Sequence, residues 1–322
     1  MPLTPSQIEQ FRQDGFIIVP DVFDGDKMDT ARLAMDQILY GKPYEEWLVD
    51  FDAGKTEGVS DGFSTTHDHE QGRTQFPTGS DALDGLISNE NYLDMFEQCL
   101  GDAASYCNAH LFLRAGPTDK RHSEHPWEGY HIDHLTNCLL PPSHDDRFAY
   151  VNSAAYLHDV PEDGAPMKVI PGSHRLAQET YLHAFAGDNA GGGSVQDLRL
   201  AHGLAEPVPA VGARGSAMFY SSYLMHAAQP FDNKRLQRAF WTLSMCRQDC
   251  DRWTRFANPF VYGEREHMLP FFTATTPRVR SLFGFPPPGH VYYTEETLTL
   301  LQAWLPGIDT TPYDNSSREE IG

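Results

Sequence analysis

The chain has 322 residues, of which 40% are hydrophobic, 12% aromatic and 21% charged, enough apolar material for a core and too much for wholesale disorder. Asp and Glu number 45 against 24 Lys and Arg, a formal net charge of −21. A chain this acidic, with no basic patch, repels phosphate backbones and anionic membrane surfaces, which argues against a nucleic-acid or membrane partner. The five cysteines are scattered, with no paired zinc spacing and no disulfide framework, and they fit a reducing compartment. The N-terminus is polar, without the basic and apolar regions of a signal peptide, and no apolar run approaches the ~18 residues of a membrane helix. The expectation is a cytoplasmic protein.

The first predicted element is a helix. Thr4 and Gln7 form a capping box around Pro5, Ile8 and Phe11 share a face, and Gly15 ends it. A buried strand follows over 16–20, then a helix over 26–40 with Met28, Ala31, Met35 and Ile38 at helical spacing. Residues 41–84 are polar, acidic and Gly-rich and read as a long irregular segment. Ser88 is the expected cap of a helix running to Leu100. From 106 to 247 short β-rich runs alternate with turn residues, at 109–114, 149–157, 167–170, 216–220 and 238–245, the texture of an antiparallel sandwich or barrel. The Gly-rich stretch 187–194 reads as a surface loop and not a phosphate cradle. Beyond 251 come loops rich in Pro and aromatics, then a helix capped by Thr294 and ending at Leu305, and a polar tail after Thr310. The expected organisation is one domain over 1–322, with a helical layer and long loop (1–105), a β core (106–247) and C-terminal loops and helix (248–322).

Fifteen histidines make any single one weak evidence, so company sorts them. In Tyr130-His131-Ile132-Asp133-His134, residues two apart project to one face of an extended strand, so His131 and Asp133 can reach one metal. An imidazole and a carboxylate are two thirds of the facial triad that holds non-haem Fe(II). Downstream, the apolar run from Met218 ends at His226, and Arg238 enters the next strand. A histidine at a strand end with a following arginine suits a metal site that binds a dicarboxylate, because a guanidinium pairs with a carboxylate through two donors. A core histidine and a surface arginine are the plainer alternative.

The order of features resembles the phytanoyl-CoA dioxygenase family of Fe(II)/2-oxoglutarate-dependent oxygenases over most of the chain. The resemblance rests on the opening from Gln10 to Pro20, on Leu111-Phe112-Leu113-Arg114-Ala115-Gly116, on the H-x-D, and on Gly164-Ala165-Pro166 leading to Pro171-Gly172-Ser173-His174. It implies a mainly β fold with flanking helices: a double-stranded β-helix, the cupin-like jelly roll. It implies iron ligated by His131, Asp133 and His226, and 2-oxoglutarate as cosubstrate. Family members often place the 2-oxoglutarate arginine eleven residues after the distal histidine. Here that position is Gln237, so Arg238 is the nearest match, with Arg235 as the rival. Arg114, Asn152 and Tyr156 are further candidates to contact the cosubstrate, or else a surface arginine and two core residues. Ser173 and His174 are expected to fix a loop corner. The implied reaction couples decarboxylation of 2-oxoglutarate to succinate and CO2 with hydroxylation of a small-molecule C–H bond by O2. An intact Asp133 favours hydroxylation over halogenation; desaturation, ring closure and epoxidation stay open.

Two competing readings are a zinc-dependent hydrolase on a cupin-like barrel and a non-catalytic ligand-binding protein that keeps the barrel. His67 and His69 read as a solvated loop, and His122 and His125 as residues at a pocket rim ahead of Trp127. The aromatic group Trp253, Phe256, Phe260, Tyr262, Phe271 and Phe272 is either a pocket wall or ordinary packing.

Overall fold

The computed structural model describes residues 2–57, 75–119, 129–134, 142, 147, 149–179, 195–250, 265–291 and 293–314. The loop at 187–194, His67, His69, His122, His125, Trp127, Trp253, Phe256, Phe260 and Tyr262 lie outside them.

Several of the core strands carry apolar residues on both faces, and the sheet topology explains why. Five strands form one antiparallel sheet in the order β1 (Phe16–Val19), β6 (Ala217–Ser221), β3 (Val151–Tyr156), β8 (Gln237–Arg247) and β2 (Ala104–Ala115). A three-stranded sheet runs β5 (Val208–Pro209), β4 (Met167–Val169), β7 (His226–Ala228). One face of the large sheet packs under helices: Ile17, Phe219, Val151, Trp241 and Leu113 share a core with Phe11, Met28, Leu93 and Phe96. The other face meets the small sheet: Phe16, Ala154, Tyr156, Met218 and Phe240 pack with Met167 and Val169. A sheet covered on both sides needs apolar residues at odd and even positions alike, so its strands lose the simple alternation of a half-exposed sheet. Two packed antiparallel sheets under a helical layer are the jelly-roll class expected from the sequence.

Among the described residues the helices are α1 (Pro5–Asp14), α2 (Gly25–Tyr40), α3 (Tyr44–Asp52), α4 (Asp81–Asp84), α5 (Glu90–Leu100), α6 (Val195–Ala201), α7 (Arg265–Ala274), α8 (Pro277–Ser281) and α9 (Glu295–Trp304). The Thr4–Gln7 capping box is present, and Gly15 ends α1 at φ 80°, a conformation L side chains rarely adopt. Three expectations need correction. The segment 41–84 is not wholly irregular, because α3 and α4 lie in it. Pro43 gives α3 no side-chain cap bond, so its start carries no local signal, and the helix is held by burying Tyr44, Trp47 and Leu48. The cap of α5 is Asn89, whose side chain accepts from the Tyr92 amide, while Ser88 closes a short 3-10 turn. The region after 251 is not only loops, since it contains α7 and α8; Pro270 lies inside α7 and masks it in the sequence. Phe271 and Phe272 pack with Phe283 and, through Phe76, against the Trp241 side of the large sheet, which makes them core and not pocket wall. None of the described helices is long and apolar enough to cross a membrane.

His158, just after β3, gives the fold a pH dependence. Burial pushes its imidazole down to about 4; Arg32 and Arg214 act in the same direction and Asp159 opposes them. An unfolded histidine titrates near 6.5, so between those values the unfolded chain binds the proton more readily. Stability from this group is present above about pH 6.5 and is lost as pH falls toward 4. Thermal melts between pH 7 and 5 should show a smaller decline in Tm for His158→Gln than for the parent. Identical declines would mean that His158 does not carry the effect.

Candidate metal centre

His131 and His226 are joined backbone to backbone. Each amide donates to the other's carbonyl at 3.0 Å, an isolated antiparallel bridge that extends the small sheet beyond β7. This bridge sets the two rings 4.4 Å apart, centroid to centroid. Asp133 Oδ1 lies 3.4 Å from His131 Nε2 and 3.6 Å from His226 Nε2. The three donor atoms all fall within 4.8 Å of one another, a spacing that one metal ion can fill. The set is open on one side: the His131 side chain is 55% exposed, Asp133 21% and His226 5%.

The imidazoles are held in the tautomer a metal needs. His131 Nδ1 donates to the Gly129 carbonyl at 2.9 Å, and His226 Nδ1 donates to the Leu224 carbonyl at 3.0 Å. A carbonyl only accepts, so the proton sits on Nδ1 and the Nε2 lone pairs face the gap. Burial pushes the His226 pKa down; the charge of Asp133 opposes it, and His131 and Arg238 add to the lowering. For Asp133 burial works against the charge, but His226, His131 and the Tyr220 hydroxyl outweigh it and keep the carboxyl below the usual carboxylate range. Two imidazoles and a carboxylate are a donor set suited to Fe(II).

The surrounding chain fastens this geometry. Ser173 Oγ accepts from the Met225 amide at 2.9 Å, and the Ile170 amide donates to the Met225 carbonyl at 3.0 Å, so the Pro-Gly-Ser-His corner grips the residue before His226. His174 Nε2 and Arg175 reach the carbonyls of Arg12 and Gln13, tying the same corner to α1. On the other side, the Tyr150 hydroxyl donates to the Asp133 carbonyl. His134 is fully buried, its ring against those of Tyr150 and Tyr223.

Strand register sorts the remaining candidates into rows across the inner face of the large sheet. One row is Phe16, Tyr220, Asn152, Ser244 and Asn108; the next is Ile18, Met218, Ala154, Thr242 and His110. Tyr156, Phe240 and Phe112 form the third row, and Arg238 opposite Arg114 the fourth. Asn152 Nδ2 donates to Asp133 Oδ2 at 2.9 Å, and Tyr220 donates to the same oxygen at 3.1 Å. Burial and the charge of Asp133 push the Tyr220 phenol well above its ordinary pKa, so it stays a donor. Arg238 is 1% exposed; its guanidinium lies over the rings of Phe112 and Phe240 and donates to the Ala165 carbonyl at 2.5 Å. Gln237 faces the helical layer, bonded to Tyr40 and Asp36, and Arg235 is exposed and paired with Asp52. Arg114 is not a surface residue. It is fully buried, paired with Asp119 at 2.6 Å, and donates to the Gln229 carbonyl. The Tyr156 hydroxyl donates to the Ala210 carbonyl, and its ring lies against Phe240.

Sequence reasoning missed Tyr220, Ser244 and His110. Burial pushes the His110 imidazole down to about 4, with the charge of Asp133 opposing, which leaves a neutral ring on the inner face. Their signal was the two-residue alternation with Asn152, Arg238 and Arg114, once the strand faces are known.

The sequence profile of the phytanoyl-CoA dioxygenase (PhyH) family matches residues 11–239. The chain belongs to that family. Phytanoyl-CoA dioxygenase family members are oxidoreductases that use Fe(II) and 2-oxoglutarate, which are this chain's cofactor and cosubstrate. No curated protein sequence matches it significantly. Among solved structures, EctD from S. alaskensis with bound Fe superposes with a TM-score of 0.52 at 18% identity, covering 80% of each chain. EctD with 2-oxoglutarate and 5-hydroxyectoine gives 0.51 at 19% identity over the same shares. AviO1 from Streptomyces viridochromogenes Tue57 gives 0.50 at 18% identity, covering 80% of this chain and 99% of AviO1. At these identities the likeness establishes the shared fold.

The Ser173 contact has a measurable consequence. Ser173→Ala leaves the buried Met225 amide without its acceptor, and an unsatisfied buried donor costs about 1–3 kcal/mol. The urea midpoint should fall accordingly, and Fe(II) affinity should fall with it because His226 is the next residue. Unchanged affinity would show that the corner does not position His226.

Proposed function

We propose that this chain hydroxylates a C–H bond of a small molecule, consuming 2-oxoglutarate and O2 and releasing succinate and CO2. The observation that carries the reading is the pairing of two features between the two sheets. The His131–Asp133–His226 donor set lies at one end. Arg238 lies toward the other, its guanidinium directed over Phe112 and Phe240 and near enough for its charge to bear on His226. Bound iron supplies the activation of O2, and the protein supplies orientation and exclusion of side reactions.

In this reading His131, Asp133 and His226 would hold Fe(II), and a three-residue donor set would leave room for cosubstrate and O2. Arg238 takes the distal carboxylate of 2-oxoglutarate through two parallel donors. Its aromatic flanks hold the planar guanidinium in place, so little freedom is lost on binding. Arg114 carries no such role, because Asp119 already neutralises it. Arg235 is excluded by its place on the surface.

Arg238→Lys keeps the charge and loses the planar fork. It should weaken 2-oxoglutarate binding by about 30- to 150-fold, the equivalent of about 2–3 kcal/mol for one charge-assisted pair, while Fe(II) stays bound. Arg235→Lys should change nothing. Anaerobic titration of the Fe(II) protein with 2-oxoglutarate, read by the metal-to-ligand absorption band, separates the two. Loss of binding in Arg235→Lys but not in Arg238→Lys would refute the assignment. Aerobic incubation should also yield succinate slowly without the true substrate. A metal-loaded protein that makes none with any candidate substrate would favour a hydrolase or a binding protein.

A further inference from the structure

A carboxylate beside a divalent cation can bind through one oxygen or chelate through both, and chelation takes a position that cosubstrate or O2 would otherwise occupy. Asp133 sits on a short segment outside the named strands, where backbone geometry alone does not settle the choice. The large sheet settles it. Asp133 Oδ1 faces the two imidazoles at 3.4 and 3.6 Å, while Oδ2 accepts from Tyr220 at 3.1 Å and from Asn152 Nδ2 at 2.9 Å.

The amide of Asn152 is itself oriented. Ser244 Oγ donates to Asn152 Oδ1 at 2.6 Å, which leaves Nδ2 for Asp133. The reversed amide would set two acceptors against each other, and a carboxylate offers no proton to relieve them. Tyr220, Asn152 and Ser244 are cross-strand neighbours on β6, β3 and β8, and each is less than 8% exposed. Three side chains fixed on rigid strands therefore act on one oxygen of a residue that lies off the sheet.

We propose that Asn152 and Tyr220, with Ser244 setting the amide, are positioning residues that reserve Asp133 Oδ2 for the protein and leave Oδ1 to the metal. Asn152 then acts through Asp133 and not by touching 2-oxoglutarate. The proposal rests on the triad being the metal site.

The test uses the full chain, stripped of metal and titrated anaerobically with Fe(II) without 2-oxoglutarate, in parallel with Co(II) for its visible spectrum. Asn152→Ala should weaken metal affinity by about 10- to 100-fold, the usual effect of removing a group that orients a ligand. Tyr220→Phe and Ser244→Ala should shift it in the same direction, and Ser244→Thr, which keeps the hydroxyl, should restore it. The Co(II) spectrum of Asn152→Ala should change as the second carboxylate oxygen becomes available. Melting of the metal-free variants measures the loss of these buried hydrogen bonds separately, and metal affinity is read at a temperature where every variant is folded, which separates positioning from misfolding. Affinity for 2-oxoglutarate at saturating metal should be retained. If Asn152→Ala keeps its metal affinity and loses 2-oxoglutarate instead, Asn152 is a cosubstrate ligand and the proposal fails. If metal binding survives His226→Ala unchanged, the triad itself is wrong, a failure distinct from that of the positioning role.

Discussion

Two backbone hydrogen bonds between His131 and His226 are the constraint on which the site depends. The residues are far apart in sequence, and the segment around His131 forms no named strand of its own. The bridge borrows order from β7, which pairs with β4, where Val169 sits opposite His226. Asp133 follows two residues later, with its carbonyl gripped by Tyr150 and one carboxylate oxygen gripped by the large sheet. The donor set is thus built between the two sheets, and neither alone would define it.

The large sheet does different work on its two faces. Its outer face is almost wholly apolar and is sealed by helices, with Trp241 fully buried in the shared core. Its inner face carries polar groups in rows, from Tyr220, Asn152 and Ser244 near Asp133 to Arg238 and Arg114 at the far end. Buried polar groups are costly unless paired, and those of this face pair with one another and with nearby groups: Asn152 with Ser244 and Asp133, Arg114 with Asp119 and the Gln229 carbonyl, Tyr156 with the Ala210 carbonyl. The paired network gives the sheet a polar floor facing Asp133.

Much of this was legible in the sequence, for identifiable reasons. The H-x-D spacing, the strand-end His226 and the Pro-Gly-Ser-His corner are local patterns, and the geometry unites them. Between Arg238 and Arg235 the spacing left two candidates; Arg238 lies inward and buried, Arg235 is exposed and paired with Asp52, and Gln237 is directed toward Asp36 in α2. Tyr220 and Ser244 were hidden because both faces of their strands are buried, so a continuous apolar run gives no inside or outside. Asn152, expected either to meet the cosubstrate or to be a core residue, contacts Asp133 and Ser244. Helix α3 escaped notice because Pro43 gives it no capping side chain, although Tyr44, Trp47 and Leu48 have helical spacing.

The central claim is that the space between the two sheets holds iron at His131, Asp133 and His226 and 2-oxoglutarate at Arg238. An anaerobic crystal structure of the complex with Fe(II) and 2-oxoglutarate tests it most directly. The account predicts iron on Nε2 of both histidines and on Oδ1 alone of Asp133, with the distal carboxylate of 2-oxoglutarate on the Arg238 guanidinium. Iron bound elsewhere, or a distal carboxylate held by Arg114 or Arg235, would contradict it.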